Sequence, residues 1–163
     1  MYLLFQIGDK IVYPMHGASV IEAIEEKEIL GEKRLYYVIK TTFGNTQIMI
    51  PVDNTENLGV RQVVEADILE NLLENFNETE ADTSVNPLHR HRINMTKMKS
   101  GDIHQAAEVI NDLMHLNKNK KLGTSDKKML DHAREILISE LMMVKGMVEE
   151  QATHLLNEAT DYR

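Results

Sequence analysis

Two histidines and two arginines alternate in one short segment of this chain, His89-Arg90-His91-Arg92. Closely spaced imidazoles can hold a metal ion, but here the ion would lie between two guanidinium groups with no carboxylate nearby. We therefore interpret the segment as part of a cationic surface rather than a metal site. His16 follows Pro14 in a predicted turn. We expect it to bond to backbone groups rather than to act as a catalyst.

Positive charge is concentrated in residues 86–128, which hold nine basic and four acidic side chains, a net charge of +5. The rest of the chain is acidic, and the whole chain carries −8. That total argues against autonomous binding to nucleic acid, because binding to a duplex depends on neutralising phosphates with Lys and Arg. The local excess nevertheless favours a phosphate contact. Its basic side chains are Arg90, Arg92, Lys97, Lys99, Lys118, Lys120, Lys121, Lys127 and Lys128.

Two features sharpen the nucleic-acid interpretation of this segment. Thr124 is predicted to begin a helix, so free N–H groups and the positive end of the helix dipole would lie beside Lys127 and Lys128, as in a phosphate site. Pro87 and Leu88 are apolar residues at the edge of the basic segment, where a side chain could wedge into a minor-groove base step. The alternative is a proline at the first position of a helix, followed by a buried leucine.

No pattern typical of an enzyme occurs. The 163 residues include no Cys, which excludes a thiolate zinc site, an iron–sulfur cluster and a cysteine nucleophile. Glycine-rich phosphate loops and nucleophile elbows are also absent from the sequence. We therefore expect no catalytic residues, no metal and no cofactor. No apolar run approaches the roughly 18 residues of a membrane span, and the first residues lack a secretory pattern. We expect a cytoplasmic protein with no membrane partner.

The first 65 residues are typical of β structure. Short runs rich in β-branched and aromatic residues cover 10–14, 18–25, 35–39 and 46–50, and they are separated by glycine-containing turns. Their spacing predicts a small, strongly bent sheet or open barrel.

From residue 66 onward the apolar positions follow the helical period. Helices are predicted over 66–76, after the N-cap Asp102, from about Thr124, and over 148–159. An acidic linker is predicted at about 77–86. The fold class is therefore α+β, with a β module over 1–65 and a compact helical module over 66–163. The Met residues mostly lie on the apolar faces of these helices, where Met usually fills core space.

Residues 5–17 closely resemble the opening of the CarD/CdnL family of bacterial transcription regulators, through Gly8-Asp9, Val12-Tyr13-Pro14 and His16-Gly17. The resemblance covers nearly the whole chain. It continues through Gly31, the segment 36–39, Ile50-Pro51-Val52, Gly59-Val60-Arg61, Ser100-Gly101-Asp102, Ala107-Glu108-Val109 and Lys127-Lys128-Met129-Leu130. The opening signature is shared with the polymerase-binding module of transcription-repair coupling factors. The helical half distinguishes this chain from those larger ATPases.

The resemblance implies a Tudor-like (SH3-like) β module that docks on the β subunit of bacterial RNA polymerase. It also implies a helical module that contacts promoter DNA at the upstream edge of the melted bubble and stabilises the open complex. The implied polymerase contacts are Lys27 on the second strand, and Gln47 and Met49 on the fourth. Family members often carry arginines where this chain has Lys27 and Met49, so the contact here has less capacity for bidentate bonding.

The implied DNA contacts are Pro87, Leu88, His89, Arg90, Arg92, Thr124, Lys127 and Lys128. Relatives place a Trp wedge just before the basic run, whereas this chain has no Trp and carries Pro87 at the matching position. We expect a monomer that binds promoter DNA weakly and with little sequence preference. The alternative is a protein–protein adaptor, in which the β module binds polymerase and the helices bind a second protein without touching DNA.

Overall fold

The computed structural model describes residues 3–76 and 86–160, so the predicted acidic linker lies outside the described residues except for Asn86. The strands are β1 (Lys10–Tyr13), β2 (Gly17–Ile29), β3 (Glu32–Thr41), β4 (Gln47–Pro51) and β5 (Arg61–Gln62). The helices are α1 (Ala66–Glu74), α2 (Pro87–Lys99), α3 (Ile103–Asn119), α4 (Thr124–Lys145) and α5 (Glu149–Thr160). Strands followed by helices confirm the α+β fold predicted from the sequence.

The five strands form one antiparallel sheet in the order β4-β3-β2-β1-β5. The pairing of β2 with β3 shifts between Ile21 and Ala23, which leaves Glu22 as the extra residue of a β-bulge. Such a bulge bends a long strand and increases its twist. One face of the sheet buries Ile21, Tyr37 and Ile39 in the core of the β module. The two-residue strand β5 was not predicted, because so short a segment carries no alternation to detect.

The helical module has its own core, formed by α1, α3, α4 and α5. Leu69, Ile110, Leu137 and Leu156 are all fully or almost fully buried there. Helix α3 begins as predicted, because the Asp102 side chain accepts hydrogen bonds from the His104 and Gln105 N–H groups of the first turn. Within the described ranges, no helix has the length and apolar composition needed to cross a bilayer.

The two modules pack directly on each other through α4, and we call this contact the joint. Val12 and Ala18, which are paired across β1 and β2, lie with Ile136 of α4 in a small buried cluster. The Ser139 hydroxyl accepts a hydrogen bond from the Ala18 N–H at 2.8 Å. A Cβ atom on Gly17 would lie 2.7 Å from the Ser139 oxygen. Glycine at position 17 therefore lets the helix approach the strand backbone.

A buried ion pair forms the polar centre of the joint. Glu140 of α4 is 0% exposed, and its two carboxylate oxygens accept bonds from the Arg61 guanidinium at 2.7 and 2.8 Å. The same carboxylate accepts from the Val64 N–H at 2.9 Å, and Arg61 also donates to the Gly101 carbonyl. Because the buried charge is paired and its oxygens are satisfied, the arrangement avoids the penalty of an isolated buried carboxylate.

Two glycines allow the backbones of the modules to touch beside this ion pair. Gly59 and Gly101 have φ values of +72° and +78°, which disfavour side chains. A Cβ atom on Gly101 would overlap the Gly59 carbonyl oxygen, and one on Gly59 would lie 2.7 Å from the Lys99 carbonyl oxygen. Any larger residue at either position would therefore force the joint apart.

The ion pair predicts a large and specific effect on stability. Glu140→Ala leaves the Arg61 charge and the Val64 N–H without their acceptor, and removal of one partner of a buried pair costs about 3–5 kcal/mol. Urea unfolding should show this loss in the free energy of unfolding. Glu135→Ala, at an exposed glutamate on the same helix, should change the value by less than about 0.5 kcal/mol. Equal effects of the two variants would contradict the proposed importance of the pair.

Candidate nucleic-acid and polymerase interfaces

The first turn of α2 exposes an apolar side chain. The Asn86 side chain accepts a hydrogen bond from the Leu88 N–H at 2.9 Å, and Pro87 occupies the first turn, where its missing donor is tolerated. Leu88 is 64% exposed, and Pro87 and His89 are exposed beside it. Helix initiation by the proline is as expected. The alternative prediction of a buried Leu88 is wrong, because the side chain points into solvent.

The two arginines of the basic run lie in different environments. Arg90 is 6% exposed and forms an ion pair with Asp112 of α3, which also accepts from the Asn94 amide at 3.0 Å. Arg92 is exposed, since two residues correspond to about 200° around an α-helix. The prediction that Arg90 contacts DNA does not fit its position, because its guanidinium holds α2 against α3. Arg92 keeps the orientation expected of a phosphate ligand.

The first turn of α4 presents uncapped backbone donors together with positive charge. The helix begins at Thr124 as predicted, and its N-cap residue Gly123 provides no side-chain cap. Thr124, Lys127 and Lys128 are all exposed. The fixed donors and the ammonium groups therefore produce a positive potential at this end of the helix.

A contact between α2 and α4 brings these two helix starts together. His91 Nδ1 lies 3.1 Å from Asp126 Oδ1, and both side chains are partly buried. Asp126 thus faces α2 and leaves Lys127 and Lys128 toward solvent. The fold collects exposed DNA-contact candidates on two neighbouring helix ends, which we call the basic surface: Pro87, Leu88, His89, Arg92, Thr124, Lys127 and Lys128.

The three predicted polymerase contacts share one face of the sheet. In the register, Met49 pairs with Val38 and Gln47 with Lys40, while Lys27 pairs with Arg34. Residues paired directly across strands lie on the same face, and alternate residues along a strand do so too. Lys27, Gln47 and Met49 therefore lie on the face opposite the β core. We call this face the outer face.

Side chains of both charges and the exposed apolar residues Met49 and Ile29 lie on the outer face. Met49 is 40% exposed, Lys27 lies 3.4 Å from Glu25, and the Gln47 amide donates to Glu22 at 2.9 Å. Strand β4, which carries Gln47 and Met49, is at the edge of the sheet. Its outer backbone groups are therefore available to pair with another strand.

Arg34 is a further candidate on the outer face that the sequence interpretation missed. It lies directly across from Lys27, and its guanidinium bonds to Asp53 at 2.7 Å. The hydrogen bond and the charge of Asp53 raise the pKa of Arg34 above its usual value. The hairpin turn at Leu30-Gly31 could have revealed this residue, since the turn sets the register that pairs Arg34 with Lys27.

Metal ligands do not converge in the described residues: no three His, Asp or Glu side chains there are placed to hold an ion. Exposed charge, the exposed Leu88 and the free edge of β4 are features that support association with partners.

Comparison with known proteins connects both surfaces to one family. Residues 5–64 match the family model of the CarD-like/TRCF RID domain, and residues 71–157 match that of the CarD C-terminal domain. The chain is also 48% identical over 148 residues to the "Putative transcription factor YdeB" of Bacillus subtilis (strain 168), covering 91% of this chain and 97% of the relative. With both domain models matched in order and a relative of that identity along nearly its whole length, the chain belongs to the CarD family of transcription factors.

Proposed function

We propose that this protein is a non-enzymatic transcription regulator that binds the RNA polymerase β subunit and contacts promoter DNA at the upstream edge of the bubble, stabilising the open complex. The observation that carries the proposal is the match of both family domains to two modules that are joined by a buried ion pair. A protein with two docking surfaces in one body can connect polymerase to the DNA beside it.

The outer face supports the polymerase contact. It carries the exposed side chain of Met49 on the edge strand β4, and the paired cations Lys27 and Arg34 further along the same face. A free edge strand can pair with a strand of a partner, which supplies affinity through main-chain hydrogen bonds, while side chains give specificity. Arg34 provides a guanidinium next to Lys27. It offers the planar donor geometry that Lys27 itself lacks.

The basic surface supports the DNA contact. Arg92, Lys127 and Lys128 would bind phosphate, with the first-turn N–H groups of α4 beside them. Leu88, which is exposed in the first turn of α2, would insert between two base pairs. Aliphatic side chains are known to act as wedges at such base steps. Arg90 supports this contact indirectly, by holding α2 in place through Asp112.

The joint explains how weak DNA contacts could suffice. Once the β module is bound to polymerase, the basic surface meets DNA as an intramolecular event at high effective concentration. The protein then stabilises the open complex only by contacts that are stronger there than in the closed complex. A difference of about 1.4 kcal/mol shifts the equilibrium tenfold. Only the exposed basic surface needs to approach phosphate, so a chain of net charge −8 can act on DNA.

Polymerase binding should depend on the outer face. The double variant Lys27→Glu, Met49→Glu places two carboxylates on that face, and we expect at least about tenfold weaker binding to the isolated β subunit, equivalent to about 1.4 kcal/mol. The control is Lys33→Glu, which makes the same substitution as Lys27→Glu in the same hairpin but on the opposite face. Pull-down and calorimetry provide the measurements. If the control weakens binding as much as the double variant, the outer face is not the contact.

Promoter effects should depend on the basic surface. Leu88→Ala should shorten the open-complex lifetime that purified polymerase shows with the protein, and Pro87→Trp should lengthen it, because an indole stacks better than proline. Ile93→Ala is the matched control, since Ile93 is an exposed apolar residue of the same helix outside the basic surface. Binding to the β subunit should stay unchanged in all three.

The contribution of positive charge on the basic surface to the promoter effect can be tested separately. Arg92→Glu with Lys127→Glu should abolish most of the effect on open-complex lifetime and leave polymerase binding intact, because the variant repels phosphate. Lys33→Glu, which reverses one charge outside the basic surface, is the comparison variant. An unchanged promoter effect of the double variant would instead indicate an adaptor whose helices act without DNA contact.

A further inference from the structure

An apolar cleft opens at the junction of the two modules. The β module supplies Tyr13, Pro14 and Leu58, and the helical module supplies side chains from α2 and α4. The cleft has a volume of about 540 Å³. Small-molecule sites in proteins typically have volumes of about 300–1,000 Å³ and are lined mainly by apolar groups. The size and the lining of the cleft are therefore those of a ligand site.

Three methionines form the helical wall of the cleft: Met95 and Met98 from α2 and Met129 from α4. Met95 is 39% exposed, and Met98 and Met129 are partly buried. Met98 and Met129 also pack against the buried core, as expected for Met, while all three side chains leave apolar surface facing the cleft. Methionine is flexible and polarisable, so such a wall can adapt to ligands of different shape.

The charged groups around the cleft are all basic. Lys99 and Lys128 line it together with His132, whose Nε2 atom lies 2.7 Å from the Pro14 carbonyl oxygen. None of the described lining residues is acidic. Neither lysine forms a salt bridge with the described part of the chain. In a chain with 26 acidic and 18 basic side chains, a cleft with only cations is selective for anions.

The joint fixes the shape of the cleft. The backbone of Lys99 lies against Gly59, next to Leu58, and His132 bonds to Pro14 across the two modules. Both walls are thus held by contacts that cross between the modules. A site formed in this way is preorganised, which lowers the conformational cost of binding a ligand.

We propose that this cleft binds a small amphipathic anion, an aliphatic or aromatic carboxylate or sulfonate. The apolar body would lie among Met95, Met98 and Met129, and the anionic group would contact Lys99 and Lys128. The apolar walls do not suit a nucleic-acid backbone, whose phosphates and sugars require polar partners. The cleft shares Lys128 with the basic surface. Binding of a small anion to the free protein nevertheless requires neither polymerase nor DNA.

Fluorescence titration of the full chain with 8-anilinonaphthalene-1-sulfonate tests the proposal, since the dye combines an aromatic body with one sulfonate. Dodecanoate should compete with the dye, and dodecylammonium should not, because the cleft cations repel it. Met95→Glu and Lys128→Gln should each weaken dye binding by about tenfold or more, a change of about 1.4 kcal/mol.

The chain offers a matched control for each variant. Ile93 is 38% exposed on the same helix as Met95 but lies outside the cleft lining, so Ile93→Glu should leave the affinity unchanged. Lys127→Gln is the corresponding control for Lys128→Gln. Lys127→Gln should still reduce the promoter effect, which separates this proposal from the proposed function.

Two results would overturn the proposal. One is the absence of saturable dye binding to the folded protein. The other is equal weakening by the cleft variants and their controls. Because the dye also binds partly unfolded states, each variant must first show a cooperative urea transition and a native near-ultraviolet circular dichroism spectrum.

Discussion

The arrangement of this protein depends on one buried carboxylate. The Glu140 carboxylate accepts hydrogen bonds from both terminal nitrogens of Arg61 and from the Val64 N–H, and Arg61 also donates to the Gly101 carbonyl oxygen. A single ion pair thereby links β5, the segment before α1, the loop between α2 and α3, and α4. Separating a buried charge from its partner costs several kcal/mol, so arrangements that break the pair are strongly disfavoured. Together with the Ser139 and His132 contacts, the pair fixes where the outer face lies relative to the basic surface.

The strands and most helices could be predicted because their signals are local. Alternation, turn glycines and the Asp102 cap are all readable along the chain. The environments of Leu88 and Arg90 could not be predicted in the same way. The apolar residues of α2 are not grouped on one face of the helix. The sequence therefore does not show which side of α2 packs on α3. The cleft was not predictable either, since its walls come from segments far apart in sequence and meet only through the joint.

Several motif residues that indicated the family prove to be joint residues. Gly17, Gly59 and Gly101 permit close backbone approach between the modules or beside their ion pair, and Arg61 supplies the guanidinium. The resemblance thus reflects how the modules are held together as well as the surfaces they expose. The overall charge of −8 likewise conceals a local arrangement, because Arg90 and Asp126 are used in helix contacts while Arg92 and Lys127 remain exposed.

The most direct test of the account is site-specific photocrosslinking from position 88 in a complex of polymerase with promoter DNA. We expect a crosslink to DNA at the upstream edge of the bubble, formed only when polymerase is present, because the basic surface reaches DNA through the docked β module. A photoreactive group at position 93 serves as the comparison on the same helix. Crosslinking from position 88 to a protein subunit, with none to DNA, would contradict the central claim.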